Sequence, residues 1–281
     1  MIVFNNRIEK QALAKYRRVA ALEERNMNSN NCFNDKVAII TGAAQGMGAA
    51  YAQILAAAGT AVVVADINSE KAEAVAAAIN ADGGKALAIK LDVGAPESCN
   101  ACAQQTKEGF GRIDYLVNNA GLLSSATAAP LNEIAIDDYQ RIMNVNTNSV
   151  LFMTQAVAPI MEETGGGAIV NTSSIGAWQT TGIYSVSKAG VNALTLNLAH
   201  ILAPKGIRMN AIAPGTVNTE GMQPIMSVEQ MSQWTAMLGN PTGEVAEAAM
   251  ISRVGVFLLS DQASYINGQI LPVDGGTIAR L

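Results

Sequence analysis

The sequence is short of charge, aromatic mass, histidine and cysteine. Asp, Glu, Lys and Arg make up 15% of its 281 residues, and the formal net charge is −5. That balance leaves no electrostatic footprint for nucleic acid, so no nucleic-acid partner is expected. No apolar run approaches the roughly 20 residues of a membrane helix, so no membrane span is expected. The opening "MIVF" is too short for a signal-peptide core. Cys99 and Cys102 form a CxxC, but a zinc site asks for four ligands, and beyond this pair the chain has one cysteine and one histidine. The pair sits in "ESCNACAQQTKEGFG", which reads as the first turns of a helix, so it is taken as two small helical residues and no metal is expected. The odd cysteine count and a composition of cytoplasmic type point to reduced thiols, and a cytoplasmic protein is expected.

What is present is apolar: 49% of the chain, enough for a large buried core. Residues 1–34 stand apart by composition. "RIEKQALAKYRRVAALEERN" suggests a short amphipathic helix, and "NMNSNNCFND" a polar linker. From about residue 35 to 281, short apolar runs alternate with helical segments: "KVAII", then "MGAAYAQILAAAG", then "TAVVVAD", then "SEKAEAVAAAINADGG". Nearly all-apolar strands alternating with helices imply a parallel sheet covered on both faces. The expected fold is therefore α/β, a Rossmann-type doubly wound sheet in a single domain.

"TGAAQGMG", Thr41 to Gly48, lies between the first strand and the first helix. Gly42, Gly46 and Gly48 allow a close backbone approach, and the helix beyond offers free N–H groups and a positive dipole end. A pyrophosphate fits that arrangement. Gln45 and Met47 complete the turn. Asp66 ends the second strand, where a carboxylate accepts from a ribose diol and repels a 2′-phosphate. Neither Gln45 nor the following Ile67 and Asn68 carries a compensating cation, so NAD is expected rather than NADP. Asp92 and Val93 end the third strand, where an adenine could lie. A helix-capping role for Asp92 is an equal alternative.

TGxxxGxG, "NNAG" through Gly121, "VN" at Val145–Asn146, Ser173–Ser174, YxxxK at Tyr184–Lys188, and "PG" at Pro214–Gly215 occur in one order. The set resembles the short-chain dehydrogenase/reductase family of NAD(P)-dependent oxidoreductases, from about Lys36 onward. The resemblance implies Tyr184 as acid/base and Lys188 as its partner and a ribose ligand. It implies Ser174 as the hydrogen bond to the substrate oxygen and Asn146 as part of a water-linked proton relay. Asn119, Ala120 and Gly121 would frame the cofactor, with Pro214, Gly215, Val217 and Thr219 beside the nicotinamide and phosphates. A homotetramer is expected on the same ground. Independently of the family, Tyr184 and Lys188 at i, i+4 share one helix face. A nearby ammonium favours the phenolate of a group whose reference pKa is near 10.

Two departures stand out. Ser174 and Tyr184 are only ten positions apart, which shortens the loop and points to an altered substrate mouth. "EVAEAAMISRVGVFLLSD" also reads as a helix longer than usual. A lid is expected at about residues 220–240, with four methionines and Trp234 suited to a moderately bulky apolar ligand. The functional expectation is NAD-dependent oxidation of a secondary alcohol or reduction of a ketone. The alternatives are an NADPH-dependent biosynthetic ketoreductase and a non-catalytic dinucleotide-binding protein.

Overall fold

The computed structural model describes residues 32–278. The helix expected near the amino terminus lies outside these residues.

In chain order the elements are β1 (Val37–Thr41), α1 (Gly46–Ala57), β2 (Ala61–Asp66), α2 (Ser69–Ala81), β3 (Lys85–Lys90), α3 (Pro96–Phe110) and β4 (Tyr115–Asn118). Then come α4 (Ile136–Met143), α5 (Ser149–Glu163), β5 (Gly167–Thr172), α6 (Ile183–Leu202) and β6 (Ile207–Pro214). β7 (Val217–Asn218), α7 (Val228–Met237), β8 (Ala246–Glu247), α8 (Ala248–Leu259) and β9 (Ile270–Val273) complete the set. Seven strands form one sheet in the order β3-β2-β1-β4-β5-β6-β9, and all six pairings are parallel. This is the doubly wound α/β architecture expected from the alternation.

Alternate residues of each strand feed opposite faces. Ile40, Val62 and Val64 pack with Tyr51 and Leu55 of α1 on one side. Ile39 and Val63 pack with Met153 and Met161 of α5 on the other. β3 is an edge strand, and its outer residues are exposed, with Lys85 and Lys90 at its two ends; charge there discourages pairing with another chain. Ahead of β1, Phe33 is buried edge-to-face against Tyr115, and its carbonyl accepts from Thr60 Oγ1.

The helix ends follow local chemistry. Asn68 caps α2 by accepting from Lys71 N, Pro96 opens α3, and Gly111 closes α3 in the left-handed region. Cys99 and Cys102 are buried in α3, as small helical residues should be, and burial pushes their thiols up to about 11 and about 12. The long helix expected after the lid is divided. Ala246 and Glu247 are spent on a two-residue parallel pairing with Val217 and Asn218, and α8 starts only at Ala248.

Among the described residues, no helix is long and apolar enough to cross a membrane. None of them forms a metal-binding cluster of His, Cys, Asp and Glu.

Candidate active site

Parallel strands send all their carboxyl ends to one edge of the sheet, and the helices that follow begin there. The glycine-rich turn, the ends of β2, β4, β5 and β6, and the start of α6 therefore share that edge. A cleft of about 620 Å³ lined by Lys36, Asp114, Arg208 and Asp261 opens at the opposite, amino-terminal edge. None of the expected site residues lines it.

The turn is built for close approach. Gly42 and Gly46 have φ of 64° and 57°, which favours glycine. A Cβ on Gly48 would lie 2.1 Å from the Gly42 carbonyl oxygen, so only glycine fits there. α1 begins at Gly46, and its N-cap Gln45 makes no side-chain cap. The β4 end is tied to this turn by Thr41. Its hydroxyl accepts from Asn119 N and Ala120 N, each at 3.0 Å, while Asn119 Nδ2 donates to the carbonyls of Thr41 and Gly42. Asn118 Nδ2 donates to Asn171 Oδ1 and so stitches β4 to β5. The asparagines thus hold the strands. The double use of Thr41 was missed, although its place before the first glycine marked it.

At the end of β2 the two Asp66 oxygens accept from Ala44 N and Asn68 N at 3.0 and 2.9 Å. The carboxylate is thereby fixed beside the turn, and Ile67 is exposed. One element of the charge argument changes. Lys71 Nζ donates to Gln45 Oε1 at 3.1 Å, so a cation does stand at this end of the turn. It comes from the first turn of α2, beyond the positions the sequence argument weighed. Asp92 Oδ1 accepts from Gly94 N in a local turn, and Val93 is buried.

Asn146 sits in a single π-helical turn, Asn144–Asn148, between α4 and α5. Such turns reset the side-chain direction of a helix. Its amide is pinned on both sides: Oδ1 accepts from Leu122 N at 2.6 Å, and Nδ2 donates to Leu122 O and Ser187 Oγ. Lys188 is buried and donates from Nζ to Thr172 O at 2.8 Å, with Nζ 5.9 Å from the Tyr184 ring centroid. A Cβ built on Gly121 would lie 3.6 Å from Lys188 Nζ and 3.8 Å from Asn146 Oδ1, so the two meet beside the glycine of "NNAG".

The serine pair separates by role. Ser173 Oγ is buried and donates to Asn192 Oδ1 at 2.6 Å, which binds β5 to α6. Ser174 Oγ accepts from Gly176 N and hydrogen-bonds Tyr184. The second serine is therefore the one at the tyrosine, despite the shortened loop.

Burial raises the Tyr184 phenol above its ordinary value, and the Ser174 hydrogen bond opposes that. Burial also pushes Lys188 down, to about 8. From spacing, the Lys188 ammonium is expected to favour the Tyr184 phenolate together with the positive charge of an oxidised nicotinamide. Within the protein the opposing group is Ser174, and desolvation is the larger effect.

Pro214 ends β6, and Gly215 packs so closely on Asp274 that a Cβ would meet its Cα at 3.0 Å. Val217 is buried in β7. Thr219 lies against Gly46, and Glu220 Oε2 accepts from Gly46 N at 3.0 Å, a contact the sequence argument did not foresee. Of the expected lid, α7 carries a capping box between Ser227 and Gln230. Met231 is fully buried as an anchor, whereas Met237 faces solvent. Met222 and Met226 are half-buried in the turns before α7.

Residues 42–277 match the family model described as enoyl-(acyl carrier protein) reductase. An uncharacterized oxidoreductase of Mycobacterium tuberculosis is 45% identical over 88% of this chain and 99% of its own length. Cyclohexanol dehydrogenase of an Acinetobacter strain is 37% identical over 88% of this chain and 96% of its own. Among solved structures, a 7α-hydroxysteroid dehydrogenase complexed with NADH and 7-oxo glycochenodeoxycholic acid superposes with a TM-score of 0.83. It is 35% identical, covering 90% of this chain and 99% of that one.

Proposed function

The chain belongs to the short-chain dehydrogenase/reductase family of oxidoreductases, and from that premise we propose an NAD-dependent dehydrogenase of secondary alcohols, Tyr184 being its acid/base. The observation that carries the reading is the meeting of Ser174, Tyr184, Lys188 and Asn146 on the sheet edge that also holds the glycine-rich turn.

The residues present fit a nicotinamide dinucleotide. The turn before α1 is kept compact by glycines with no room for a side chain, and the helix opens with no side-chain cap and no acidic residue in its first turn, which suits an anion. Gly46 and the residues after it would hold the pyrophosphate, Asp66 the adenosine ribose, and Lys188 the nicotinamide ribose. When bound in its oxidised form, the dinucleotide supplies a two-electron acceptor and a local positive charge.

The chain's own groups handle the substrate oxygen and its proton. Ser174 Oγ donates a hydrogen bond to that oxygen and orients it. Tyr184 Oη accepts the hydroxyl proton in the oxidative direction and returns it in the reductive one. Burial keeps the phenol protonated until opposing charge is present, which suits a group that alternates between acid and base. Lys188 passes the proton onward to solvent through water, and Asn146, pinned by Leu122 and Ser187, shapes that path. The substrate is proposed to be a moderately bulky apolar alcohol, cyclic or polycyclic. Support comes from the names of the relatives and from the half-buried methionines of the lid turns.

Lys71 favours a second cofactor reading, in which NADPH is also accepted, because its ammonium stands beside Gln45. A homotetramer is also proposed. Leu196 and Ile201 of α6, and Met250 and Phe257 of α8, present exposed apolar side chains suited to subunit contacts. The deciding experiment is an NAD-linked screen over cyclic alcohols, hydroxysteroids, aryl carbinols and sugars. Turnover of the cyclic or steroidal group supports the reading. Absence of turnover on every alcohol and ketone, with NADH bound, would leave a dinucleotide-binding protein instead.

A further inference from the structure

The first free donor of α1 is already taken. Gly46 N donates to Glu220 Oε2 at 3.0 Å, across 174 positions of sequence. Two neighbours make this more than one stray side chain. Thr219 packs on Gly46, where an added Cβ would lie 3.2 Å from the threonine Cβ. Gly221 lies against Gln45, where an added Cβ would lie 3.2 Å from Nε2. Gln45 is held from the other side by Lys71. Residues 219–221 therefore lie across the mouth of the glycine-rich turn.

The turn itself explains why a carboxylate settles there. Gln45 provides no side-chain cap, and the first turn of α1 contains no acidic residue. The opening N–H groups would stay unsatisfied, and the positive end of the helix dipole favours an anion. These are the same features that suit the turn to a pyrophosphate. A single N–H cannot serve both anions at full strength, and two anions this close repel.

We propose that Glu220 is an internal counter-anion that occupies the pyrophosphate seat of the ligand-free protein and sets its affinity for the dinucleotide. Binding must displace the carboxylate and the 219–226 turns that carry it. The proposal rests on the dinucleotide reading above. It makes apparent affinity the intrinsic affinity multiplied by the fraction of molecules whose seat is open. It also turns the strap into a link between the lid and the cofactor, since α7 follows directly.

The test uses the full chain and two variants, Glu220→Gln and Glu220→Ala. NADH affinity is measured by fluorescence titration, and ADP-ribose affinity by its displacement of NADH. Thermal unfolding of the ligand-free protein is measured in parallel. Glu220→Ala should bind NADH and ADP-ribose about 3- to 10-fold more tightly, with a lowered ligand-free melting temperature. Glu220→Gln, which keeps the shape and loses the charge, should show a smaller gain in the same direction. Unchanged or weaker NADH binding in both variants overturns the proposal. So does a gain for NADH without one for ADP-ribose, because ADP-ribose carries the pyrophosphate but no nicotinamide. Failure of the wild type and both variants to bind NADH overturns the dinucleotide reading itself.

Discussion

Lys188 Nζ donates to the Thr172 carbonyl at 2.8 Å and stands 5.9 Å from the centre of the Tyr184 ring. One hydrogen bond from β5 thus fixes the ammonium beside the phenol, on the same helix face one turn on. The lysine is held by the sheet, not by the tyrosine, so each can be changed without releasing the other.

Removal of the phenol is the direct consequence. Tyr184→Phe should lower kcat by about 100-fold or more, the usual worth of a positioned acid/base. NADH affinity should stay within about 3-fold, because Lys188 keeps its tie to Thr172. Steady-state kinetics and NADH titration check both halves. Turnover near wild type would remove Tyr184 from the chemistry.

The buried ammonium gives a stability signature. The Lys188 pKa falls from 10.5 to about 8 on folding, through desolvation. Between those values the unfolded chain binds more protons than the folded one, so this group makes stability rise with pH from about 8 to about 10.5. Below about 8 the full penalty is present, on the order of 3 kcal/mol for a shift of this size. Lys188→Met lacks that slope. Urea midpoints of the ligand-free proteins between pH 7.5 and pH 10.5 should therefore rise more for wild type than for Lys188→Met. Parallel curves would mean that Lys188 is better solvated than the geometry indicates.

Cofactor choice should respond to two residues in opposite directions. Asp66→Ala removes a carboxylate that repels a 2′-phosphate, and also the acceptor of Ala44 N and Asn68 N. NADH binding should weaken by about 10-fold or more, and the gap to NADPH should narrow. Lys71→Ala removes the cation beside Gln45. NADH binding should barely change, while NADPH binding weakens several-fold. Fluorescence titration with both nucleotides reads the two ratios. An NADPH preference in the wild type would reverse the proposed cofactor.

These contrasts show what the sequence could and could not carry. Gly42, Gly46 and Gly48, and the Tyr184–Lys188 spacing, were legible because a helix or turn sets their geometry within a few residues. The parallel sheet was legible because buried strands are apolar throughout. The Lys71–Gln45 and Glu220–Gly46 contacts were not, since they join residues 26 and 174 positions apart. Strands β7 and β8 have two residues each, too few for any periodicity, so the turn into α8 was read as helix. The π-helical turn at Asn146 leaves no mark in composition. The balance at Tyr184 was hidden for a different reason. Spacing places a charge near a phenol, but burial decides which effect is larger.

The packing of α1 on α8 offers a test far from the chemistry. Tyr51 is fully buried, and its hydroxyl has no hydrogen-bond partner among the described residues. A buried unsatisfied hydroxyl costs about 1–3 kcal/mol, so Tyr51→Phe should be neutral or stabilising by about 1 kcal/mol. Its neighbour Gly255 has no room for a side chain. An added Cβ would sit 1.8 Å from the Tyr51 oxygen and 2.5 Å from Cζ. Gly255→Ala should therefore destabilise by about 1–3 kcal/mol through overpacking, with kcat unchanged in the folded fraction. Tyr51→Phe should rescue part of that loss, since it clears the oxygen but leaves Cζ in place. A double-mutant cycle in urea reads the coupling. Strict additivity would mean that the two helices shift apart to admit the methyl group, and that the contact between Gly255 and Tyr51 does not set their spacing.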